Sequence, residues 1–232
     1  MPFFLTTRDT QSRELMDDPG CDHGELLNTY RQFGTINSMI SGWKQIYKRR
    51  IKPNLHKNKS NSLLDIGFGG GDIPIKIAQW ARDDGLKLDI TAIETDRRAF
   101  NFVQQMDTPS NVTFKHCSST DLAAQDEQFN FVISNHLLHH LGKIKFQQIL
   151  DEAKQLSTTG VIFNDLARSD IGYALFNIFS RPVFQSSFIT HDGLTSIRRS
   201  YTVDELRSAV PAKWIVEKQF PFRLLLRFQH RE

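Results

Sequence analysis

Two acids and a run of glycines within Leu63–Asp72 form the part of the chain in which residue types and spacing most clearly predict chemistry. The apolar residues before Asp65 predict a buried strand, and an amphipathic helical pattern begins at Asp72. Glycine has no Cβ, which allows a tight turn and lets a nucleoside or phosphate approach the backbone closely. The predicted order of strand, glycine turn and helix N-terminus indicates a nucleotide-type binding site.

The acids at the two ends of this turn indicate the charge of the ligand. A dinucleotide-binding turn has a third glycine where this chain has Asp72, and no Gly-Lys-Ser/Thr follows as a Walker-type phosphate loop requires. Asp65 and Asp72 suit a cationic ligand better, because their carboxylates can face an amino group or a sulfonium. A glycine turn that binds no ligand is the alternative.

Polar residues also follow two other predicted strands. Leu86–Ile93 predicts a strand that ends at Glu94, about 25 residues after the glycines, where a carboxylate can accept hydrogen bonds from both ribose hydroxyls. Asp96 is expected to cap the next helix. Ser134–Leu141 follows a short apolar strand and lies at the carboxyl edge, where open α/β sheets bind ligands.

In this order, the glycine turn, Glu94 and Ser134–Leu141 resemble the class I S-adenosylmethionine-dependent methyltransferases. The resemblance covers roughly Ser62–Phe228 and favours the bacterial members that act on small polyketide-, phenol- or quinone-type molecules. It implies S-adenosylmethionine as cofactor and S-adenosylhomocysteine as product. The cofactor-binding residues that it implies are Asp65, Gly67, Gly69, Gly71, Asp72, Glu94, Thr95, Ser118, Ser119, Asn135 and His136. Ser118 and Ser119 stand where many members have an adenine-binding Asp.

His139 is the candidate catalytic residue. It matches by spacing the catalytic histidine of the plant-type O-methyltransferases, and histidine is the natural base for a phenolic or enolic proton near neutral pH. The resemblance therefore implies methyl transfer to an oxygen, or to an activated carbon, of a small and largely apolar acceptor. His140 is interpreted as a packing or capping residue, and no third ligand was identified for the pair, so no metal is predicted. The candidate substrate-binding residues are Tyr30, His139, Tyr173, His191 and Arg198.

Alternating strand and helix patterns predict a doubly wound α/β fold. The resemblance implies a mostly parallel, seven-stranded, Rossmann-like methyltransferase sheet. The last two strands, within 214–228, are joined by a short connection that implies an antiparallel hairpin. The predicted organisation is an N-terminal helical extension over residues 1–61 and a methyltransferase domain over 62–232, with a helical insertion at about 168–198. The extension either packs on the sheet or forms a wall of the substrate pocket, and the apolar insertion is either a packing helix or a lid.

Seven basic residues without an acid lie between Lys44 and Asn61. Such a stretch binds RNA, an anionic membrane surface or a carrier-bound substrate, or it is a solvated helix end. An RNA methyltransferase is therefore one alternative function, although nucleic acid is not the expected partner, because Asn135 is not followed by the Pro-Pro-aromatic sequence that many amino-group methylases use. A noncatalytic S-adenosylmethionine-binding protein is the other alternative.

Composition sets wider limits. The chain has 232 residues, 39% of them hydrophobic, and a formal net charge of +3, which neither requires nor excludes an acidic partner. Its two cysteines, Cys21 and Cys117, lack metal or redox spacing. No signal peptide or membrane-spanning run is recognisable, so the sequence predicts a cytoplasmic protein with a small-molecule acceptor.

Overall fold

A mixed sheet forms the centre of the computed structural model, which describes residues 2–230. Within these residues the sheet has seven strands: β1 (Asn61–Ile66), β2 (Leu88–Glu94), β3 (Val112–His116), β4 (Phe129–Asn135), β5 (Ser157–Leu166), β6 (Ile215–Gln219) and β7 (Arg223–Gln229). Their order across the sheet is β3-β2-β1-β4-β5-β7-β6. Neighbouring strands from β3 to β5 are parallel, and β7 runs antiparallel to both of its neighbours. The predicted α/β fold with an antiparallel last strand is confirmed.

Helices cover both faces of this sheet. In the described residues they are α1 (His23–Ile40), α2 (Trp43–Ile46), α3 (Asp72–Asp83), α4 (Arg97–Val103), α5 (Ser119–Ala123), α6 (Lys143–Leu156), α7 (Asp170–Val183), α8 (Ile189–Arg199) and α9 (Val203–Ala209). Each parallel connection passes through a helix, as a crossover between parallel strands requires.

The sequence of β1 shows why the sheet is buried on both sides. Successive side chains of a strand point to opposite faces. Leu63 therefore packs in one hydrophobic cluster with residues of α2 and α3, whereas Leu64 packs in another with residues of α6. A strand that is apolar on both faces is stable only between two layers of helices.

The N-terminal region is helical, as predicted. The break expected near Gly34 or Gly42 occurs at Gly42, whose φ of 70° is left-handed, while α1 runs through Gly34 without interruption. The predicted insertion consists of α7 and α8. The boundaries predicted for the two parts of the chain, 1–61 and 62–232, stay a prediction.

The seven basic residues between Lys44 and Asn61 are exposed. Arg50 forms an ion pair with Glu217, at 3.0 Å, and Lys52 forms one with Asp84, at 2.6 Å. Part of this charge is therefore neutralised within the chain. None of the helices in residues 2–230 combines the length and the apolar character needed to cross a membrane.

The buried guanidinium of Arg168 joins the N-terminal strap to the insertion. Its Nε donates to the Leu5 carbonyl at 2.8 Å. Its Nη1 donates to the Ser200 carbonyl at 2.9 Å and to Glu205 Oε2 at 2.8 Å. Arg168 thus connects three segments that are far apart in sequence.

We expect Arg168→Ala to lower the free energy of unfolding by about 2 to 4 kcal/mol, because it leaves buried carbonyls without a donor and Glu205 without its cation. Urea denaturation measures the loss. Arg207→Ala is the matched control, because its pair with Asp204 is exposed and 3.8 Å long, and it should cost less than about 0.5 kcal/mol. Equal effects of the two substitutions would contradict the structural role of Arg168.

Candidate functional site

The glycine turn between β1 and α3 has the left-handed backbone that its sequence requires. The φ angles of Gly67, Gly69 and Gly71 are 77°, 52° and 77°. Gly67 N donates to the Ile93 carbonyl at 2.8 Å, which fixes the turn to the end of β2. Gly67 and Gly69 line a cavity of about 840 Å³. The turn therefore presents backbone, rather than side chains, to this cavity.

Glu94, at the end of β2, organises the neighbouring loop. Its Oε2 accepts a hydrogen bond from Gly69 N at 3.1 Å, and its Oε1 accepts from Thr95 N at 2.8 Å and Asp96 N at 3.2 Å. Glu94 and Thr95 line the cavity. Asp96 caps α4 by accepting from Arg98 N, as predicted.

Asp65 is the most unusual group of the cradle. Its side chain is buried, and Oδ1 has no hydrogen-bond partner. Burial raises the pKa of Asp65 well above its usual value, and the nearby carboxylates of Asp72 and Glu94 raise it further. Because three acids converge on one part of the cavity, the site favours a cationic ligand.

Asp72 connects the cradle to α1. Asn37 Nδ2 donates to Asp72 Oδ1 at 3.1 Å, and Lys76 Nζ lies 3.4 Å from Oδ2. Burial raises the pKa of Asp72, although Lys76 and Asn37 oppose this effect. A Cβ on Gly70 would lie 2.7 Å from the Tyr30 carbonyl, so α1 approaches the glycine turn closely. The N-terminal helix is thus a wall of the site.

The cavity continues from the cradle to α7 and α8. Apolar side chains of α1, α7 and α8 line this part: Tyr30, Phe33, Ile36, Leu175, Phe176, Phe179, Val183, Ile189 and Ile197. Several residues of α7 are also exposed to solvent, among them Ile178 and Phe179. The insertion therefore borders the cavity, and the cavity offers an apolar compartment beside the acidic cradle.

His139 lies in a wall of the same cavity and is buried. Its Nδ1 is 2.6 Å from Asp165 Oδ1, and its Nε2 is 3.4 Å from Glu14 Oε1. Burial disfavours the charged ring, but Asp165 and Glu14 outweigh burial and raise the pKa of His139 to about 9. The ring is therefore protonated at neutral pH, so it must lose a proton before it can act as the predicted base. That role stays a prediction.

The end of β4 is held by Arg223, which is itself buried. Its Nη2 donates to Asn135 Oδ1 at 2.8 Å, and its Nη1 contacts His136 Nε2. Burial lowers the pKa of His136 well below its usual value, and the positive charge of Arg223 adds to this effect. Trp43 Nε1 also donates to Asn135 Oδ1, at 3.0 Å. His136 is therefore neutral.

The structure brings most of the predicted site residues to one cavity. Those that line it are Tyr30, Asp65, Gly67, Gly69, Asp72, Glu94, Thr95, Asn135, His136 and His139. All but Tyr30, which belongs to α1, lie in the glycine turn, at the start of α3 or at the ends of β1, β2 and β4. The parallel strands explain this convergence, because their carboxyl ends share one edge of the sheet.

Three of the predicted cofactor-binding residues do not line the cavity. A Cβ on Gly71 would lie 2.9 Å from Val103 and 3.1 Å from Phe114, so this glycine allows packing beneath the turn. Ser118 caps α5 with its hydroxyl, and the Ser119 hydroxyl donates to Glu152 at 2.5 Å. The direct ligand roles predicted for these three residues need correction, because their neighbours are within the fold.

Three of the predicted substrate-binding residues also lie outside the cavity lining. The ring of Tyr173 packs edge-on against Phe4. The largely exposed His191 pairs with Asp192 at 2.9 Å, and Arg198 lies 3.5 Å from Asp9. These predictions were wrong about direction, because helical spacing alone does not show which face of α7 or α8 meets the cavity.

Sequence reasoning missed several residues of the site. Asp165 ends β5, and its position at a strand end was a usable signal, because the other acids of the site lie at equivalent positions. Glu14 and Asn37 gave no comparable signal. They reach the cavity from the N-terminal segment only through tertiary packing.

Comparison with solved structures defines the class of fold. The plantazolicin methyltransferase BpumL in complex with SAH has a TM-score of 0.57 at 12% identity, and the match covers 88% of this chain and 86% of that one. Human N-acetylserotonin methyltransferase in complex with SAM has a TM-score of 0.62 at 12% identity, over 90% of this chain and 56% of that one. The fold is that of the Rossmann-like methyltransferases.

Sequence comparison then identifies the family to which the central part of the chain belongs. Residues 63–160 match the family model described as a methyltransferase domain, so this region is a methyltransferase domain. The ubiquinone/menaquinone biosynthesis C-methyltransferase UbiE of Rickettsia bellii is 30% identical over 114 residues, which are 47% of this chain and 42% of that protein. The chain thus spans less than half the length of the curated relatives that it matches.

We expect Asp65→Asn to raise the free energy of unfolding near neutral pH by about 1 kcal/mol, because an ionised carboxylate without a partner is costly to bury. The pKa of Asp65 is higher in the folded chain than its usual 3.8. The wild type therefore loses stability as the pH rises from 3.8 through this raised pKa, and Asn removes that loss. Urea denaturation across this pH range measures both effects.

Asp89→Asn is the matched control, because Asp89 is exposed at the opposite end of β2. It should leave both the stability and its pH dependence close to those of the wild type. A large loss of stability in Asp65→Asn would show that the ionised carboxylate has a stabilising partner.

Proposed function

We propose that the chain transfers a methyl group from S-adenosylmethionine to a small, largely apolar acceptor of phenolic, polyketide or quinone type. The observation that carries this proposal is the buried, unpartnered carboxylate of Asp65, set in an acidic cradle that opens into an apolar cavity. The methyltransferase family match at residues 63–160 supports the proposal.

The cradle fits this cofactor in charge and shape. Asp65 and Asp72 provide negative charge for its cationic methionine end, and Glu94 provides a carboxylate for its ribose hydroxyls. Gly67 and Gly69 leave room that side chains would fill. When bound, the cofactor supplies a methyl group on a positively charged sulfur.

The acceptor compartment fits a flat, apolar molecule. Its walls come from α1, α7 and α8 and are mainly aromatic and aliphatic, whereas Glu14, His139 and Asn135 are among its polar groups. We propose an oxygen of the acceptor as the methylated atom. Transfer to an activated carbon is the alternative, and the name of the matched relative, a C-methyltransferase, favours it.

The residues of this chain would contribute mainly alignment. Methyl transfer is an in-line displacement, and holding donor and acceptor in that geometry lowers the barrier. Helix α1 covers the glycine turn, and Asn37 fixes Asp72, so the cradle is closed toward solvent on that side. Exclusion of water strengthens the attraction between the acids and a cationic ligand.

We expect the wild type to bind S-adenosylmethionine and S-adenosylhomocysteine in calorimetric titrations. Glu94→Gln and Asp65→Asn should each weaken binding of S-adenosylmethionine at least about tenfold, because each removes a charge that faces the ligand. Asp89→Asn should bind as the wild type does. No binding by a folded wild type would refute the proposal.

The acceptor compartment has a test of its own in Gly193→Ala. A Cβ at Gly193 would lie 2.4 Å from the ring of Phe176, so the ring must move, and both residues line the cavity. With an acceptor found by screening phenolic and quinone-type compounds, we expect KM to rise about tenfold, as overpacking typically costs this much. Affinity for S-adenosylmethionine should stay within about twofold.

Gly142→Ala is the control, because no atom lies within 4 Å of a Cβ built there. Steady-state kinetics with this variant should match the wild type. An unchanged KM in Gly193→Ala would show that the acceptor does not use the compartment beside α8.

A further inference from the structure

Three side chains in the cavity wall present nitrogen and oxygen ligand atoms to one point. They are Glu14, which directly precedes the turn Leu15–Asp17, and His139 and His140, in the turn Leu138–His140 after β4. Glu14 Oε1 is 3.4 Å from His139 Nε2 and 3.6 Å from His140 Nε2. One ligand atom from each residue lies within 4.8 Å of the others.

These separations suit a small divalent transition ion. Ligands about 2.0 to 2.1 Å from a tetrahedral Zn²⁺ are about 3.3 Å from one another. Two imidazoles and one carboxylate are also a donor set found in catalytic zinc sites, which keep a fourth position open. The observed separations require only small side-chain movements to reach this geometry.

A carboxylate lies beside the other nitrogen of each histidine. His139 Nδ1 is 2.6 Å from Asp165 Oδ1, and His140 Nδ1 is 3.5 Å from Asp17 Oδ2. A carboxylate on Nδ1 holds the proton there and leaves the lone pair of Nε2 for a metal. This arrangement is typical of histidines that bind metal ions.

His139 Nε2 provides an independent indication of a ligand. It is buried and has no hydrogen-bond partner, because its 3.4 Å contact with Glu14 lacks hydrogen-bond alignment. An orphaned nitrogen in a buried site is costly unless something binds it. Glu14 Oε1 is already fixed by a hydrogen bond from the Ser196 hydroxyl at 2.6 Å.

Two arginines hold the turn that carries the histidines without neutralising the three acids. Arg8 Nη2 donates to the His139 carbonyl at 3.0 Å, and Arg199 Nη2 donates to the His140 carbonyl at 3.3 Å. Each therefore binds backbone of the turn. The carboxylates of Glu14, Asp17 and Asp165 remain available to compensate a divalent charge.

We propose that Glu14, His139 and His140 bind a divalent metal ion of the Zn²⁺ type. All three residues line the cavity, so the open coordination position faces the acceptor compartment. The metal site does not depend on the proposed methyl transfer. Its use does: there it would hold an acceptor oxygen and favour the deprotonated form of that oxygen.

This assignment gives His139 a role different from the predicted general base. A metal ion on Nε2 and a proton on Nε2 exclude each other. The ligated nitrogen has no lone pair with which to accept the proton of an acceptor, so the two roles are distinguishable by direct metal measurement.

The test uses the full chain, freed of metal with a chelator and then dialysed against Zn²⁺. Elemental analysis should find about one tightly bound equivalent, and Co²⁺ should give the visible absorption of a tetrahedral nitrogen–oxygen site. Glu14→Gln and His140→Ala should each weaken binding at least about tenfold, and Mg²⁺ should not compete.

His56→Ala is the matched control, because it removes an exposed histidine outside the cavity and should leave the stoichiometry unchanged. Circular dichroism verifies that each variant is folded. Failure of the folded wild type to bind Zn²⁺, or equal binding by wild type, Glu14→Gln and His140→Ala, would overturn the proposal.

Titration of the same samples with S-adenosylmethionine separates the two proposals. Zn²⁺ binding that depends on Glu14 supports the metal site, whether or not the cofactor binds. Cofactor binding without Zn²⁺ binding would overturn the metal site and leave the proposed methyl transfer in place.

Discussion

Burial of carboxylates at the carboxyl edge of the sheet is the constraint on which the site depends. Asp65 ends the buried part of β1, Glu94 ends β2, and Asp165 lies near the end of β5. Each compensates its charge differently: Glu94 accepts backbone hydrogen bonds, Asp165 pairs with His139, and Asp65 Oδ1 has no partner. Because uncompensated negative charge in a buried site favours a cation, the edge is prepared for positively charged ligands before any ligand arrives.

The helices outside the sheet turn this edge into an enclosed compartment. Helix α1 lies across the glycine turn, and α7 and α8 form the apolar side of the cavity. Arg168 joins the N-terminal strap to Ser200 and Glu205, so the two added regions are coupled to each other as well as to the sheet. The cradle and the acceptor compartment are consequently built from different parts of the chain.

This division explains the pattern of similarity to known proteins. The family match covers residues 63–160, which contain the glycine turn, Glu94 and both histidines of the cavity wall. Glu14 and the apolar residues of α7 and α8 lie outside it. A conserved type of cradle is therefore combined here with an acceptor compartment whose chemistry has to be read from this chain itself, and the two proposals concern separate parts of the site.

By itself, the sequence determined the features that depend on neighbouring residues. The glycine turn, the strand ending at Glu94, the Asp96 cap and the alternation of strands and helices were all predictable, because periodicity and capping act over a few positions. Parallel strands then brought Asp65, Glu94 and Asn135 to one edge. Only the tertiary structure decided that Glu14 meets His139, and that Ser118, Tyr173, His191 and Arg198 do not line the cavity. Such contacts join segments far apart in the chain, and they depend on how each helix is rotated against its neighbours, which spacing along the sequence does not specify.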